Sequence, residues 1–177
     1  MAGDPALAGE VAGLLSREEV RLDGARGLDH GAWSVLIAMY PRADVPVLQL
    51  SLDTTRPAAW HYALAGLLAP LRRRGVLVVG SGDIVHNLAT ADFRRGDGYD
   101  WALRFNDEVK RRIVARDHEP LVAYPALGHD AGLAVPTPEH YLPLLYALAL
   151  RDSGDEISFF NDRTVLGSIS MTSLRIG

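Results

Sequence analysis

The chain has 177 residues, 48% of them hydrophobic and 23% charged, a balance ordinary for a globular protein long enough to bury a sizeable core. Its formal net charge of -4 argues against a nucleic-acid partner, because phosphate binding calls for a basic surface. The absence of cysteine excludes disulfides, a thiolate nucleophile and cysteine-ligated metals, and it fits a reducing compartment.

Asp4-Pro5 reads as an N-cap followed by proline at the first helical position, and it predicts a short helix through Leu15. Gly31 to Tyr40 predicts an apolar helix stopped by Pro41. Val45 to Leu52, rich in Val and Leu, predicts a strand. Pro57 to Arg74 predicts one long helix with Gly75 at its C-terminal stop. The continuous apolar run Val76-Leu77-Val78-Val79 then leads into Gly80-Ser81-Gly82 and suits a strand buried on both faces. Asp100 to Arg116 and Pro138 to Leu150 predict two further helices, and Ile157 to Ile176 alternates enough for two or three closing strands.

Strands separated by helices predict an α/β fold, here as a single domain over residues 1–177. The chain starts almost directly on a helix, with no opening strand to found the sheet, which points to a missing N-terminal segment. The basic clusters Arg72-Arg73-Arg74, Arg94-Arg95 and Lys110-Arg111-Arg112 read as solvated helix ends and faces rather than a binding patch. The apolar stretch from Tyr141 to Leu150 is interrupted by Pro143 and is too short to span a bilayer. Met1 to Pro5 lacks the features of a signal peptide, so a soluble, cytoplasmic protein with no membrane partner is expected.

Six histidines are the main source of possible chemistry. His61, mid-helix beside Trp60, reads as structural, and His118 and His129 fall in polar sequence expected to be exposed loop. His86 stands apart because it follows the apolar run within Gly80-Ser81-Gly82-Asp83-Ile84-Val85-His86-Asn87-Leu88. Ligands of open α/β sheets bind beyond the carboxyl ends of strands, where glycines permit close approach, and a neutral imidazole there can ligate a metal or move a proton. His140 lies in Thr137-Pro138-Glu139-His140, read as the first turn of a helix. The positive end of a helix disfavours imidazolium and leaves the ring free as a ligand. His30, between Asp29 and Gly31, reads either as a local cap or as a proton donor in a cleft. A capping or packing role remains the alternative for all three.

Taken together, several segments resemble the 4,5-DOPA extradiol dioxygenase family, within the class III, LigB-like ring-cleaving dioxygenases. They are Gly27 to Trp33, Pro46 to Ser51, Pro57 to His61, Gly80 to Leu88 and Pro136 to Tyr146, in that order along nearly the whole chain. The resemblance implies a LigB-like mixed sheet flanked by helices. It also implies a non-haem divalent ion, Fe(II) for turnover or Zn(II) as a bound ion, acting on a catechol and O2. By motif His86 and His140 match metal-site histidines, His86 also matches an acid/base position in related enzymes, and His30 matches a further active-site histidine. Asn87 could fix the turn or contact a ligand. The family's Gly-His-Gly-Ser-Pro and Ser-Ala-His-Trp type motifs, which supply other metal-site histidines, do not occur here. Met1 aligns roughly a third of the way into the family's length, so the N-terminal third is expected to be absent. Two histidines alone fall short of a three- or four-ligand site, and weak metal binding and low activity are expected.

Two alternatives belong to other classes. One is a non-catalytic remnant of the LigB-like fold that serves as a binding module, since fold does not fix function. The other is a zinc hydrolase with His86 and His140 as ligands and Glu139 as base, although the usual zinc spacing is missing. Neither the particular catechol nor the oligomeric state can be read from the residues.

Overall fold

In the computed structural model, which describes residues 1–177, the first helix begins where its cap dictates. Asp4 accepts a hydrogen bond from the Leu7 N–H at 2.9 Å, and helix α1 runs Pro5–Leu14. Asp29 does the same for α2, His30–Met39, by accepting from the Ala32 N–H at 2.9 Å. Each carboxylate satisfies one of the N–H groups that a helix start leaves without a partner.

The chain divides into two compact units, Met1–Asp53 with Leu67–Leu77, and Thr54–Gly66 with Val78–Gly177. The first unit holds α1, α2 and the short α4, Ala69–Arg72. Arg74 beyond α4 pairs with Glu10 on α1. The second unit holds α3 (Ala58–Gly66), α5 (Asp100–Ala115), α6 (Glu119–Val122), α7 (His129–Ala134) and α8 (Leu142–Ala149). Four short strands close it: β1 (Ile157–Phe160), β2 (Thr164–Val165), β3 (Ile169–Ser170) and β4 (Ser173–Ile176). β1 pairs antiparallel with β4 in the register Ile157↔Ile176, and β2 pairs antiparallel with β3.

The mixed α/β class is therefore observed, but the strands are not where the apolar runs predict them. Val45 to Leu52 contributes only an isolated parallel bridge, Gly3 to Val47. Val76 to Val79 forms no strand, and Leu77 is 63% exposed instead of buried on both faces. A strand is defined by the partner that takes up its N–H and C=O groups, and beyond the single Val47 bridge neither run forms such a ladder. The long helix expected over Pro57 to Arg74 is also broken, into α3 and α4. Pro70 explains the break, because its ring clashes with the carbonyl four residues back and it has no N–H to donate. Gly75, at φ 76°, ends α4 as expected.

The core of the second unit is organised by α5. Ala102, Phe105, Asn106, Val109 and Ile113 are buried along one face, at the spacing a helix requires for a single stripe. Arg116 caps α5 in the left-handed conformation, and its guanidinium donates to the carbonyls of Asp152, Ser153 and Asp155 at 2.9, 2.8 and 3.1 Å. Leu142, Leu145 and Leu148 of α8 are buried as well. The basic clusters are occupied with acids: Arg111 and Arg112 with Glu108, Lys110 with Asp162, Arg94 with Asp92 and Arg95 with Asp97.

Two structural histidines sit in this unit. His61, read as structural from its mid-helix position, is fully buried, with Nδ1 3.0 Å from the Tyr146 hydroxyl. His118, expected in exposed loop, is instead half-buried, with Nδ1 2.9 Å from the Tyr62 hydroxyl. Burial lowers the His118 pKa below the usual imidazole value, and the positive charges of Arg151 and Arg116 act in the same direction. The unfolded chain therefore takes up this proton first as pH falls. Stability from neutral His118 is present above about pH 6.5 and is lost as pH drops below it. The urea midpoint of the wild type should fall between pH 7 and pH 5.5 more steeply than that of His118→Gln, and parallel slopes would refute the assignment.

Candidate metal centre

Three backbone contacts fix the turn that carries His86. The His86 N–H donates to the Ala134 carbonyl at the end of α7 at 2.9 Å, the Asn87 N–H donates to the Ser168 carbonyl at 3.1 Å, and the Ser170 N–H on β3 donates to the Val85 carbonyl at 2.9 Å. Ile84 and Val85, 3% and 0% exposed, bury the stem of the turn. Asn87 completes the clamp: its amide donates to the Leu133 carbonyl at 2.8 Å, and its own carbonyl accepts from the Ser168 hydroxyl at 2.7 Å. These bonds are those expected of a residue that holds the turn.

His140 arrives from the other side. It lies in the turn preceding α8 rather than in its first helical turn, since α8 starts at Leu142. The helix-end argument for a neutral His140 therefore loses its footing. Tyr141 anchors this turn, fully buried, with its hydroxyl donating to the Leu121 carbonyl at 3.1 Å. The two segments are tied together where the Asp83 N–H donates to the His140 carbonyl at 2.8 Å.

The result is a stacked pair. The His86 and His140 rings have centroids 3.7 Å apart and planes inclined by 18°. Asp83 lies beside them, its Oδ2 4.0 Å from His140 Nδ1. One ligand atom from each of Asp83, His86 and His140 can be chosen so that all lie within 4.8 Å of one another. Bonds of about 2.0–2.2 Å place two donors of one ion at most about 4.4 Å apart, a span close to that of this set. Two imidazoles and a carboxylate are the donors expected of a non-haem iron or zinc site.

Electrostatics favours the same use. Burial pushes the His86 pKa below the ordinary imidazole value, and His140 adds to this, while the charges of Asp83 and Glu139 partly oppose it. A neutral ring keeps a lone pair for a metal or a proton. Burial raises the Asp83 pKa against the pull of His86 and His140. Glu139 accepts a hydrogen bond from the Thr137 hydroxyl at 2.7 Å, and this contact above all lowers its pKa. A carboxylate held ionised in this way is poorly matched to general-base work at neutral pH, which counts against the zinc-hydrolase reading.

Of the three histidines singled out by motif, the structure brings His86 and His140 together. His30 is the first residue of α2 in the other unit, exposed, with its ring edge-on to Trp33 at a centroid distance of 5.4 Å. Asp83 was not among the sequence candidates. Its signal was available, a carboxylate three residues before His86 on the same glycine-rich turn.

In this mixed α/β chain two turn histidines and a carboxylate lie close enough together that they could hold a metal ion. Residues 1–164 match the family described as the catalytic LigB subunit of aromatic ring-opening dioxygenase, and the chain belongs to that family. It is 47% identical over 182 residues to a 4,5-DOPA dioxygenase extradiol of Escherichia coli strain K12, covering 99% of this chain and 66% of that protein. It is 38% identical over 150 residues to a 4,5-DOPA dioxygenase extradiol of Beta vulgaris, covering 82% of this chain and 56% of that protein. The crystal structure of an uncharacterized protein from E. coli K12 superposes with a TM-score of 0.93 at 44% identity, covering 99% of this chain and 73% of that one. The chain thus spans just under two thirds of the length of the bacterial relative and little more than half that of the plant one. None of its helices is long and apolar enough to cross a membrane.

Proposed function

We propose that this chain acts in extradiol cleavage of a catechol such as DOPA by O2 at a non-haem divalent metal, with His86 and His140 as its histidine ligands. The observation that carries the reading is the stacked His86–His140 pair at 3.7 Å, held by backbone hydrogen bonds from two separate segments. The activity for which the E. coli and Beta vulgaris relatives are named supports the substrate class. Fe(II) is the ion for turnover, and Zn(II) suits the same donors as a bound ion. When bound, the ion would supply Lewis-acid and redox chemistry to the catechol and O2.

The residues of the chain do the rest. His86, kept neutral by burial, offers its lone pair to the ion or takes a proton from a catechol hydroxyl. His140 presents its ring parallel to that of His86, and Asn87 keeps the turn in place. His30 serves as a proton donor or substrate contact.

The test is to load the chain anaerobically with Fe(II), add DOPA or catechol, admit air and follow the ring-opened product by absorbance. The expected result is a low yield of product at most, and what forms should require both Fe(II) and O2. Tight Fe(II) binding with no oxygen consumption would instead favour a non-catalytic binding module.

A further inference from the structure

We propose that α2 is an interface helix through which two copies of this chain pair about a two-fold axis. None of its ten residues is an acid, a lysine or an arginine, yet none of them is buried. Trp33 is 49% exposed, Ile37 62% and Met39 45%. A helix that is apolar all round belongs in an interior, and an exposed apolar stripe calls for a covering surface. α2 lies in the unit Met1–Asp53 with Leu67–Leu77, whereas Asp83, His86 and His140 lie in the other.

A second copy suits this face because the face is complementary to itself. Trp33, Ile37 and the C-cap Tyr40 follow one another at spacings of four and three, so they share one stripe. With the two-fold axis beside Val35, the helices run antiparallel and Trp33 of one copy packs against Ile37 of the partner subunit. The charges beyond the stripe then match. Arg42, 86% exposed and seven residues after Val35, comes opposite Asp29 of the partner subunit, six residues before it. Each helix also sets its positive dipole end beside the negative end of the other. A lipid surface suits α2 less well, since helices that lie on membranes carry Lys and Arg on a polar face and α2 has neither. A helix of about 15 Å gives a contact at the small end of specific interfaces, so pairing should depend on concentration.

The experiment is sedimentation equilibrium of the whole chain over a wide range of concentration, with far-UV circular dichroism to check the fold of each variant. The wild type is expected to move from the monomer mass of 19.2 kDa towards twice that mass as concentration rises. Ile37→Asp should stay at the monomer mass, because it places two carboxylates in the centre of the contact. Arg42→Glu should weaken association about three- to tenfold, and most at low salt. The chain has no cysteine, so introduced thiols report the register directly. An equimolar mixture of Trp33→Cys and Ile37→Cys, oxidised in air, should give mainly the mixed disulfide, since those positions face each other across the axis. If Ile37→Asp fails to fold, Arg42→Glu and the disulfide pattern decide. A wild type that stays monomeric overturns the proposal, and so does one that forms larger aggregates without a dimer. Undiminished dimers of folded Ile37→Asp, or no excess of the mixed disulfide, would place the interface on another face.

Discussion

Gly82→Ala is expected to destabilise the chain by about 2–4 kcal/mol and to weaken metal binding at the same time. A Cβ at position 82 would overlap the His140 carbonyl oxygen and would also meet the His140 carbonyl carbon at 3.1 Å and Pro143 Cγ at 3.2 Å. The overlapping atom belongs to the backbone, and the next residue's N–H is bonded to the same oxygen. The strain cannot be relieved by a side-chain rotation, so the turn carrying His86 must move away from the segment carrying His140. Gly132→Ala makes the control. It lies in α7 with no atom within 4 Å of a new Cβ, and should stabilise by about 0.5–1 kcal/mol through helix propensity. Urea unfolding and Co(II) titration of both variants provide the check. A Gly82→Ala protein with wild-type midpoint and metal affinity would mean that the two segments do not meet this closely.

His140→Ala is expected to abolish the stabilisation that a divalent ion confers, while leaving the metal-free protein almost unchanged. The side chain is 42% exposed, so its removal opens no cavity, and a surface truncation of this kind moves stability by no more than about 0.5 kcal/mol. An ion that binds only the folded state, present at 100 times its Kd, stabilises by about 2.7 kcal/mol. For a chain of this size that corresponds to a rise in Tm of roughly 5–10 °C. The wild type should show this rise with Zn(II) and His140→Ala should not, with ring-opening activity lost in parallel. An equal rise in the two proteins would place the ion elsewhere and remove His140 from the site.

The locally encoded features were legible in the residues. Asp4 caps the helix that follows it, the buried stripe of α5 sets its length and facing, and Gly75 ends α4, whereas the cap of α2 is Asp29 and not His30. Each depends on contacts within a turn or two of chain, which is the range over which side-chain identity acts on the backbone. The strands were another matter. Val45 to Leu52 and Val76 to Val79 carry strand composition, but a ladder needs a partner, and composition does not say whether one is present.

The site divides along the same line. Residue type, a glycine-rich turn and the family resemblance pointed to His86 and His140 before any coordinates. They did not show that the two rings stack, because residues 54 apart in sequence meet only through the clamp of Ala134, Ser168 and Ser170 on one turn and the anchoring of Tyr141 on the other. The role of Asn87 and the convergence of Asp83 follow from that same clamp. The sequence by itself singled out His86 and His140 as side chains able to hold an ion. Only tertiary packing decided that two imidazoles and a carboxylate share one point, since ligation depends on distances that no local pattern specifies.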